Sequence, residues 1–415
     1  MLFYQILITL ATPALLSHAL WQRLRGREDR AAFRARIGLT RSPERTGPTL
    51  WIHGASNGEL ASARAFITLL QARYPKYRLL ITCNTVSARD MAAGWDLTET
   101  TVQLAPFDLR WLARSLIRAR DVRALIVLEN EFWPNRFLAA AEAALPVIVL
   151  GARISGRSAR RWSQLDFVAR TVLESVRLLS AQDGDSQDRF VALGLSNARV
   201  APRVNLKALY TPPPLAGAGP LDGIWHRSTT WLAASTHEGE DESIIAAHCL
   251  ALKSQPGLRL ILAPRHPRRA ERITSQLIRA GLSFARRSKG EPVTAETQVL
   301  LADTMGEMPL WYTAAAICFV GGSLVDQGGH TPFEPGAFET VLLHGPHVAN
   351  FDRIYSRLDR EDGALAVSDA ESLANALTEA MRPARALSLV RNARRALASD
   401  QDIEGLFARL DPMLR

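Results

Sequence analysis

The sequence predicts an α/β protein made of two doubly wound domains, each a parallel sheet with helices on both faces. Its 415 residues are enough for two packed cores. Beyond residue 45, short β-rich apolar runs alternate with longer helical patterns, as in parallel sheets. A stretch rich in proline and glycine, without apolar periodicity, separates two such series and predicts a linker over residues 211–220.

The composition narrows the class of protein further. With 47% hydrophobic and 22% charged residues, the chain has globular proportions, which excludes a disordered chain, a coiled coil and a polytopic membrane protein. A net charge of +9 suits anionic partners without selecting one of them. Cys83, Cys249 and Cys318 lie far apart, so neither a disulfide framework nor a cysteine metal site is indicated.

The first element is an apolar run at the N-terminus. Residues 2–21 contain no formally charged side chain, and their number is close to the roughly 20 that a helix needs to span hydrocarbon. Four arginines follow between residues 23 and 30 and place the rest of the chain on the cytoplasmic side. We therefore predict a membrane anchor over residues 1–22. An interfacial helix and a buried first helix remain alternatives, because polar residues dilute the run.

The remaining elements form the two series. The first series predicts strands at TLWIHG, YRLLITC, TTVQLA, RALIVLE, PVIVLG and VRLLSAQ, which assigns residues 23–210 to the first domain. The second series predicts strands at TTWLAAS, LRLILAP, QVLLAD, AICFVGG, TVLLHG and ALAVS, which assigns residues 221–415 to the second domain together with the C-terminal helices.

Polar residues that directly follow these strands are the functional candidates, since ligands bind outside the carboxyl ends of parallel strands. No Walker A or strict G-x-G-x-x-G sequence occurs, and no metal-binding signature is present. Residues 54–58, GASNG, match the G-x-S-x-G pattern of a hydrolase with Ser56 as nucleophile. That interpretation is disfavoured because the motif follows the first strand, with no earlier strand to carry an oxyanion loop.

Four residues of the first domain are candidates for chemistry. Glu59 opens a helix after the first strand and suits a general base, although a glutamate there also complements the helix dipole. Glu129 and Glu131 end the fourth strand, and on an extended segment their side chains point the same way. One of them would orient a base or face developing positive charge. Lys207, near the linker, carries a compact positive charge that suits a carboxylate or phosphate. The alternative is a solvated linker lysine.

In the second domain, the candidates suit an anionic ligand. Arg265 and His266 follow the second strand, and the turn over residues 235–242 offers backbone amides to phosphate oxygens. Glycines at 321, 322, 328 and 329 permit close approach of the backbone to a ligand. Glu334 can accept hydrogen bonds from ribose hydroxyls. Together these residues favour displacement at a sugar with an anionic leaving group.

At these motifs the sequence resembles the Kdo (3-deoxy-D-manno-octulosonic acid) transferases of glycosyltransferase family 30, over nearly the whole chain. WIHGASNGE is similar to the family's H-x-A-S-x-G-E, and ENEFWPN to its E-T-E-x-W-P-N. The family has counterparts, in the same order, of seven further segments, namely GARISGRSARR, ASTHEGEDE, PRHP, DTMGE, FVGGS, GGHTPFEP and HGPHVANF. The resemblance implies a GT-B architecture, with two Rossmann-like domains facing a cleft. It also implies an enzyme at the cytoplasmic face of the inner membrane.

The resemblance also implies the partners and the roles of individual residues. CMP-Kdo would be the donor and a lipid A precursor, lipid IVA, the acceptor, with no metal and no other cofactor. Glu59 would be the proton acceptor, and Glu129 and Lys207 would stabilise the transition state. The implied CMP-binding residues are Pro264, Arg265, Met305, Gly306, Glu307, Thr331, Pro332, Phe333 and Glu334. The first domain would bind the acceptor and the second the CMP-sugar.

Four positions depart from the family pattern, namely Asn57, Asn130, Val204 and Thr331. They leave open a divergent paralogue with a changed sugar or acceptor. A non-transferring nucleotide-sugar epimerase or hydrolase of the same fold is a second alternative, and a catalytically silent membrane-bound binding protein is a third. The N-terminal run argues against the second, and the carboxylates argue against the third. Nucleic acid is the least favoured partner, because no basic stripe is interleaved with aromatic residues.

Overall fold

The computed structural model of the protein describes residues 2–39, 47–212, 219–398 and 402–415. The chain forms two compact units, one of Met1–Leu209 with Asp400–Arg415 and the other of Tyr210–Ser399. Most of the predicted linker, residues 213–218, lies outside the described residues.

The first unit is built on a six-stranded parallel sheet in the order β3-β2-β1-β4-β5-β6. All six predicted strands are present. They are β1 (Thr49–His53), β2 (Arg78–Cys83), β3 (Thr100–Leu104), β4 (Val122–Leu128), β5 (Val147–Ala152) and β6 (Val176–Ala181). The helices of this part of the chain are α1 (Leu2–Leu10), α2 (Thr12–Leu24), α3 (Arg30–Arg36), α4 (Asn57–Arg73), α5 (Val86–Ala93), α6 (Arg110–Ala119), α7 (Pro134–Glu142), α8 (Gly156–Gln164), α9 (Asp166–Ser175) and α10 (Gly184–Ala192).

Core residues cover both faces of this sheet, as the uninterrupted apolar strands require. Along β1, Leu50 and Ile52 face one buried cluster, which includes Phe66 of α4. Trp51 faces the other cluster, which includes Phe137 of α7. Because β1 lies between β2 and β4 and runs parallel to both, the carboxyl ends of these three strands lie at the same edge of the sheet. There His53 of β1 is the neighbour of Thr82 of β2.

The second unit is built on a seven-stranded parallel sheet in the order β13-β12-β11-β7-β8-β10-β9. Its strands are β7 (Thr230–Thr236), β8 (Arg259–Pro264), β9 (Phe284–Arg286), β10 (Val299–Leu301), β11 (Ile317–Val320), β12 (Val341–His344) and β13 (Ala364–Ala366). Its helices are α11 (Asp241–Leu252), α12 (Ala270–Arg279), α13 (Met308–Ala314), α14 (Phe333–Ala337), α15 (Asp352–Arg360), α16 (Ala370–Ala380) and α17 (Pro383–Ala398). The sequence predicts six of these strands. It misses β9, whose three residues carry no apolar pattern.

The last described helix, α18 (Ile403–Leu414), was predicted to belong to the second domain, but it is part of the first unit. It packs on the first unit, where the ring of Phe407 stacks on Phe66 with centroids 5.5 Å apart. The Asp411 carboxylate accepts from the hydroxyl of Tyr74 at 2.7 Å and pairs with Arg73 at 3.0 Å. The prediction was wrong because an amphipathic helix does not reveal from its own sequence which core it covers.

The predicted anchor is not one continuous helix. Residues 2–24 form α1 and α2, and Pro13 occupies the first turn of α2, where its missing N–H costs no hydrogen bond. The Tyr4 hydroxyl donates to the Asp108 carboxylate at 2.9 Å, and Ala19 is buried. Within the described residues, no helix is both long and apolar enough to cross a membrane.

Candidate active site

Glu59 lies in the first turn of α4, directly after the tight turn that follows β1. Ser56 caps this helix, because its hydroxyl accepts from the Glu59 amide at 3.4 Å. A Cβ on Gly54 would lie 3.0 Å from side-chain atoms of Leu128 and Leu60, so a larger residue there would force these side chains to shift. The glycine and serine of GASNG therefore build a helix start, which explains the motif without a hydrolase nucleophile.

The electrostatic surroundings of Glu59 suit a base. Its carboxylate folds back and accepts from the backbone amide of Ala55. Burial raises the pKa of Glu59 to about 7, the Ala55 hydrogen bond opposes this rise, and the carboxylates of Glu131 and Glu129 add to it. A carboxylate with this pKa is available to take a proton at neutral pH.

Glu129 and Lys207 form an ion pair beside this base. The Lys207 ammonium lies 3.4 Å from a Glu129 carboxylate oxygen, and both side chains are mostly buried. Lys207 belongs to a short 3-10 turn, Leu206–Leu209, whose Leu206 side chain is buried in the first unit. Lys207 is therefore not a solvated linker lysine.

Glu129 and Glu131 have different partners, and the extended backbone on which the prediction rests is absent. Glu129 has a φ of +50°, in the left-handed region, so the segment after β4 is not extended. The Glu131 carboxylate instead accepts from the indole of Trp133 at 2.7 Å, from the His53 ring at 3.3 Å and from the Asn84 amide at 3.4 Å. Burial alone would raise the pKa of Glu131, but the hydrogen bonds from His53 and Trp133 outweigh it and lower the pKa.

His53 sits at the centre of a buried hydrogen-bond chain. Burial, with a contribution from Arg136, lowers the pKa of His53 to about 4, so its ring is neutral at physiological pH. Since the Glu131 carboxylate only accepts, Nε2 of His53 carries the ring proton. Nδ1 then accepts from the Thr82 hydroxyl at 2.9 Å, and that oxygen accepts from the Trp51 indole at 2.9 Å. The chain of donors holds Glu131 as an anion beside Glu59.

In the second unit, one of the backbone amides predicted to hold phosphate contacts a carboxylate of the protein instead. Glu240 is fully buried and accepts from the backbone amides of His237, Gly322, Ser323 and Leu324, at 2.7 to 3.0 Å. The turn over residues 235–242 and the glycine loop after β11 are thereby joined. The prediction that the turn's amides bind phosphate is wrong for the amide of His237, because Glu240 occupies it.

Three histidines and Arg265 lie at the same edge of the second sheet. Nε2 of His237 is 2.9 Å from Nε2 of His330, and their rings stack. Burial lowers the pKa of both rings, that of His330 to about 4, and neighbouring positive groups including Arg265 add to the effect. His266 meets the His237 ring edge-on at 6.4 Å. Neutral imidazoles and an exposed arginine leave this edge able to accept an anion.

The residues implied to bind CMP lie at the ends of strands of the second sheet or in the segments that follow them. Pro264 ends β8, and the amide of Arg265 donates to Thr236 at the end of β7. Met305, Gly306 and Glu307 lie between β10 and α13, and the Glu307 carboxylate pairs with Arg287 at 2.6 Å. The remaining four occupy the loop before α14 and its first turn, namely Thr331, Pro332, Phe333 and Glu334.

Sequence reasoning missed several residues of both edges, although most lie inside the motifs it singled out. His53 and Trp133 belong to HGASNGE and ENEFWPN, and His237 and His330 to the second unit's turn and glycine loop. Asn84 follows β2 directly, which is the position that signals a site residue in such a sheet. No described group of three or more histidine, cysteine, aspartate or glutamate side chains is arranged to hold a metal ion.

Comparison with known proteins decides the family. Residues 31–209 match the family described as 3-deoxy-D-manno-octulosonic-acid transferase (kdotransferase). The 3-deoxy-D-manno-octulosonic acid transferase of Haemophilus influenzae is 33% identical over 383 residues, which cover 91% of this chain and 89% of that protein. This chain belongs to the Kdo transferase family. The 3-deoxy-D-manno-octulosonic acid transferase of Bordetella pertussis supports the same family, since it is 31% identical over 90% of both chains. The protein is therefore a glycosyltransferase that acts in lipopolysaccharide biosynthesis, as its motifs predict.

Solved structures share the fold at low sequence identity. UDP-GlcNAc 2-epimerase from Neisseria meningitidis, bound to UDP-GlcNAc, superposes with a TM-score of 0.58 at 11% identity, over 88% of this chain and 99% of that chain. A glycosyltransferase from Rickettsia africae gives 0.55 at 11% identity, over 89% and 98%. These likenesses establish a GT-B-like α/β fold with two parallel sheets.

Three of the four departures from the family pattern have local structural roles. The Asn57 side chain accepts from Ser87 at 2.9 Å, and Val204 is fully buried in the first unit. The Thr331 hydroxyl accepts from the amide of Phe333. The contact described for Asn130 is made by its backbone oxygen, so the structure does not explain that change of side chain. None of these contacts displaces Glu59, Glu129 or Lys207.

Proposed function

We propose that this enzyme transfers Kdo from CMP-Kdo to a glucosamine hydroxyl of lipid IVA, with inversion at the anomeric carbon. The observation that carries the proposal is Glu59, whose pKa of about 7 suits a general base at the carboxyl edge of the first sheet. Family membership supplies the transferred sugar.

The chemistry is a single displacement. The acceptor oxygen forms a bond to the anomeric carbon while the bond from that carbon to the phosphate oxygen breaks, and CMP leaves with the electron pair. Glu59 takes the proton of the attacking hydroxyl, which keeps the new ether oxygen neutral. Attack opposite to the leaving group inverts the anomeric configuration.

Glu129 and Lys207 act on charge that develops during this displacement. The anomeric carbon becomes positive, and a mostly buried carboxylate stabilises that charge more strongly than water does. The Lys207 ammonium fixes the Glu129 side chain and attracts the carboxylate of the sugar. In the second unit, Arg265 is exposed beside the predicted CMP loop, where its guanidinium suits the departing phosphate.

Product analysis tests the proposal directly. Purified protein is incubated with CMP-Kdo and tetra-acylated lipid IVA, and the lipid is weighed by mass spectrometry. We expect a gain of one or more Kdo residues, with one CMP released for each. Free Kdo without a lipid product would indicate a hydrolase, and an isomer of the donor would indicate an epimerase. Either result contradicts the proposal.

Donor binding is tested separately from transfer. We expect CMP to raise the melting temperature of the protein without added divalent metal, because arginine and backbone donors bind an anion directly. The control is the same measurement in EDTA. A shift that disappears in EDTA would contradict direct binding.

We also propose that the enzyme works at the cytoplasmic face of the inner membrane, with α1 and α2 lying in the lipid interface. Seven large apolar side chains between residues 6 and 24 are exposed, among them Leu7 (54%), Leu10 (75%) and Leu24 (77%). The guanidinium groups of Arg25 and Arg27 lie over the Trp21 ring, at 4.4 and 5.3 Å. Exposed apolar groups beside arginines are typical of interfacial helices.

Point substitutions test this location better than truncation, because α1 also contacts Asp108. Combining Leu7→Gln, Leu10→Gln and Leu24→Gln should release protein from vesicles that contain anionic lipid, as measured by sedimentation. Leu165→Gln with Phe167→Gln is the matched control, since both residues are similarly exposed on the first unit. Equal release by the two sets would contradict the proposed location.

A further inference from the structure

Two histidine rings form a hydrogen-bonded pair at the carboxyl edge of the second sheet. Nε2 of His237, which follows β7 directly, lies 2.9 Å from Nε2 of His330, and the planes of the two rings differ by 22°. Both residues are half-buried. A hydrogen bond between two nitrogens needs one donor and one acceptor, so a single proton lies between the rings.

The backbone on both sides of this contact is held in place. The buried Glu240 carboxylate accepts from the amides of His237 and Gly322, at 2.7 Å each. The Tyr355 hydroxyl donates to the carbonyl of His330 at 3.0 Å. A Cβ on Gly322 would lie 3.3 Å from a ring carbon of each histidine, so this glycine lets the two rings approach. The fold therefore builds the contact between the rings.

The hydrogen bond between the rings determines what the pair offers to a ligand. Among the described residues, Nδ1 of neither ring has a hydrogen-bond partner. In the neutral pair, the ring that donates through Nε2 has an Nδ1 that can only accept, and the other ring has an Nδ1 that donates. One further proton turns both Nδ1 atoms into donors and gives the pair a positive charge. Because phosphate oxygens accept, an anion favours the protonated pair.

The surroundings keep the pair neutral until an anion arrives. The charged and titratable groups that face it are Glu240, Arg265, His266 and Arg269. The Arg269 guanidinium forms an ion pair with Asp241. Burial lowers the pKa of both rings, that of His330 to about 4, and nearby positive groups add to this effect. A negative charge beside a ring acts in the opposite direction and raises its pKa by about one to three units.

The pair lies beside the segments that the family resemblance assigns to the donor. His330 directly precedes the four implied CMP residues Thr331, Pro332, Phe333 and Glu334. On the other side, the backbone oxygen of Thr236, the residue before His237, accepts from the amide of Arg265 at 3.0 Å. An anion that contacts the exposed Arg265 is therefore close to the histidine pair, whose pKa values this arginine already influences.

We propose that the pair of His237 and His330 binds the phosphate of CMP and takes up one proton from solvent as it does so. The inference rests on the proposed function, and it adds how the charge of the leaving group is met. When the bond to the anomeric carbon breaks, its electron pair stays on a phosphate oxygen and the proton of the acceptor hydroxyl goes to Glu59. The protonated pair donates two hydrogen bonds to the phosphate through Nδ1, and its proton returns to solvent when CMP leaves.

Proton uptake on CMP binding tests this proposal without any transfer reaction. CMP is titrated calorimetrically at pH 6.5 in two buffers that differ in their enthalpy of ionisation, which gives the number of protons bound with the ligand. For wild type we expect uptake of about half a proton or more, and an affinity that falls as the pH rises from about 6 to 8. Cytidine, which lacks the phosphate, should bind without proton uptake.

His330→Gln is the decisive variant, because glutamine can hydrogen-bond to His237 but cannot take up a proton at this pH. We expect it to lose most of the proton uptake and to weaken CMP binding about tenfold. The phosphate of CMP itself titrates near a pKa of about 6, equally in both proteins, so the difference between them isolates the pair. His226→Gln, at an exposed position before β7, is the matched control and should behave as wild type.

Each contrary result has its own meaning. CMP binding to wild type without proton uptake overturns this proposal and leaves the proposed function standing, whereas failure of CMP to bind overturns both. Proton uptake that persists in His330→Gln also overturns it, and its loss in His266→Gln would then assign the proton to His266. If His330→Gln does not fold, as judged by circular dichroism, His237→Gln takes its place with the same expected result.

Discussion

The carboxyl edges of the two sheets differ in their chemistry although their architecture is the same. In the first unit, three glutamates gather at the edge. The donors around Glu131 keep it charged, and burial together with this charge raises the pKa of Glu59. In the second unit, the corresponding loops carry glycines, histidines and Arg265, and the buried carboxylate of Glu240 is enclosed by backbone amides. One fold therefore supplies a proton-accepting edge and an anion-accepting edge, and the residues after the strands make the difference.

The largest expected effect is on the proton-accepting edge. Glu59→Gln should lower kcat by at least about 100-fold, because glutamine keeps the shape of the side chain and removes the base. CMP binding should not change, since the proposed CMP residues belong to the second unit. Steady-state kinetics and thermal shift with CMP check both parts.

Ser56→Ala is the control for this prediction. It removes the helix cap and should cost about 1 kcal/mol of stability while transfer continues. Loss of transfer in Ser56→Ala with retention in Glu59→Gln would restore the nucleophile interpretation of GASNG.

The next prediction concerns which unit the last helix stabilises. Phe407→Ala should destabilise the first unit by about 3 to 5 kcal/mol, because a buried aromatic ring stacked on Phe66 is lost. Hydrogen exchange should accelerate in α4 and β1 and remain unchanged in β7 and β8. Leu387→Ala, at an exposed position of α17, is the control. Faster exchange confined to the second unit would contradict the packing described here.

A moderate effect is expected on the anion-accepting edge. Arg265→Ala should weaken CMP binding about tenfold, in line with the loss of one charge-assisted hydrogen bond. Isothermal titration measures this directly. Arg268→Ala, an exposed arginine three residues further on, controls for the general loss of positive charge. Equal weakening by both would show that net charge, rather than a contact from Arg265, attracts CMP.

The smallest expected effect is a displacement of the pH profile. Since Glu59 acts in its deprotonated form, wild-type kcat/KM should rise as the pH increases through about 7. Glu131→Gln removes a negative charge that raises the pKa of Glu59, so the rise should move to lower pH. Glu174→Gln, an exposed glutamate of α9, is the control. A profile that does not move, or moves to higher pH, contradicts the coupling.

The same pKa has a consequence for stability. The folded pKa of Glu59 lies above its usual value of 4.5, so its contribution favours folding at low pH and is lost as the pH rises from about 4.5 to 7. The melting temperature of Glu59→Gln relative to wild type should therefore increase over that range. A constant difference would contradict the raised pKa.

The sequence predicts the parts of this molecule that local pattern determines. Twelve of the thirteen described strands follow from apolar runs between turn residues, and β9 is missed because three residues carry too little pattern. The placement of α18 on the first unit depends on long-range packing, which the helix's own sequence does not show. The left-handed backbone at Glu129 and the buried hydrogen-bond chain through His53 cannot be read from residue spacing, so the partners of the site carboxylates emerge only from the structure.

The return of the last helix to the first unit sets the order in which a growing chain can fold. While the ribosome is still adding residues 403–414, the whole of the second unit has already been translated, but Phe66 and its neighbours lack the helix that covers them. The N-terminal unit is thus the last to be completed, contrary to the usual N-to-C order of domain folding. A nascent chain therefore keeps this apolar surface of the first unit uncovered until residues 403–414 have been made.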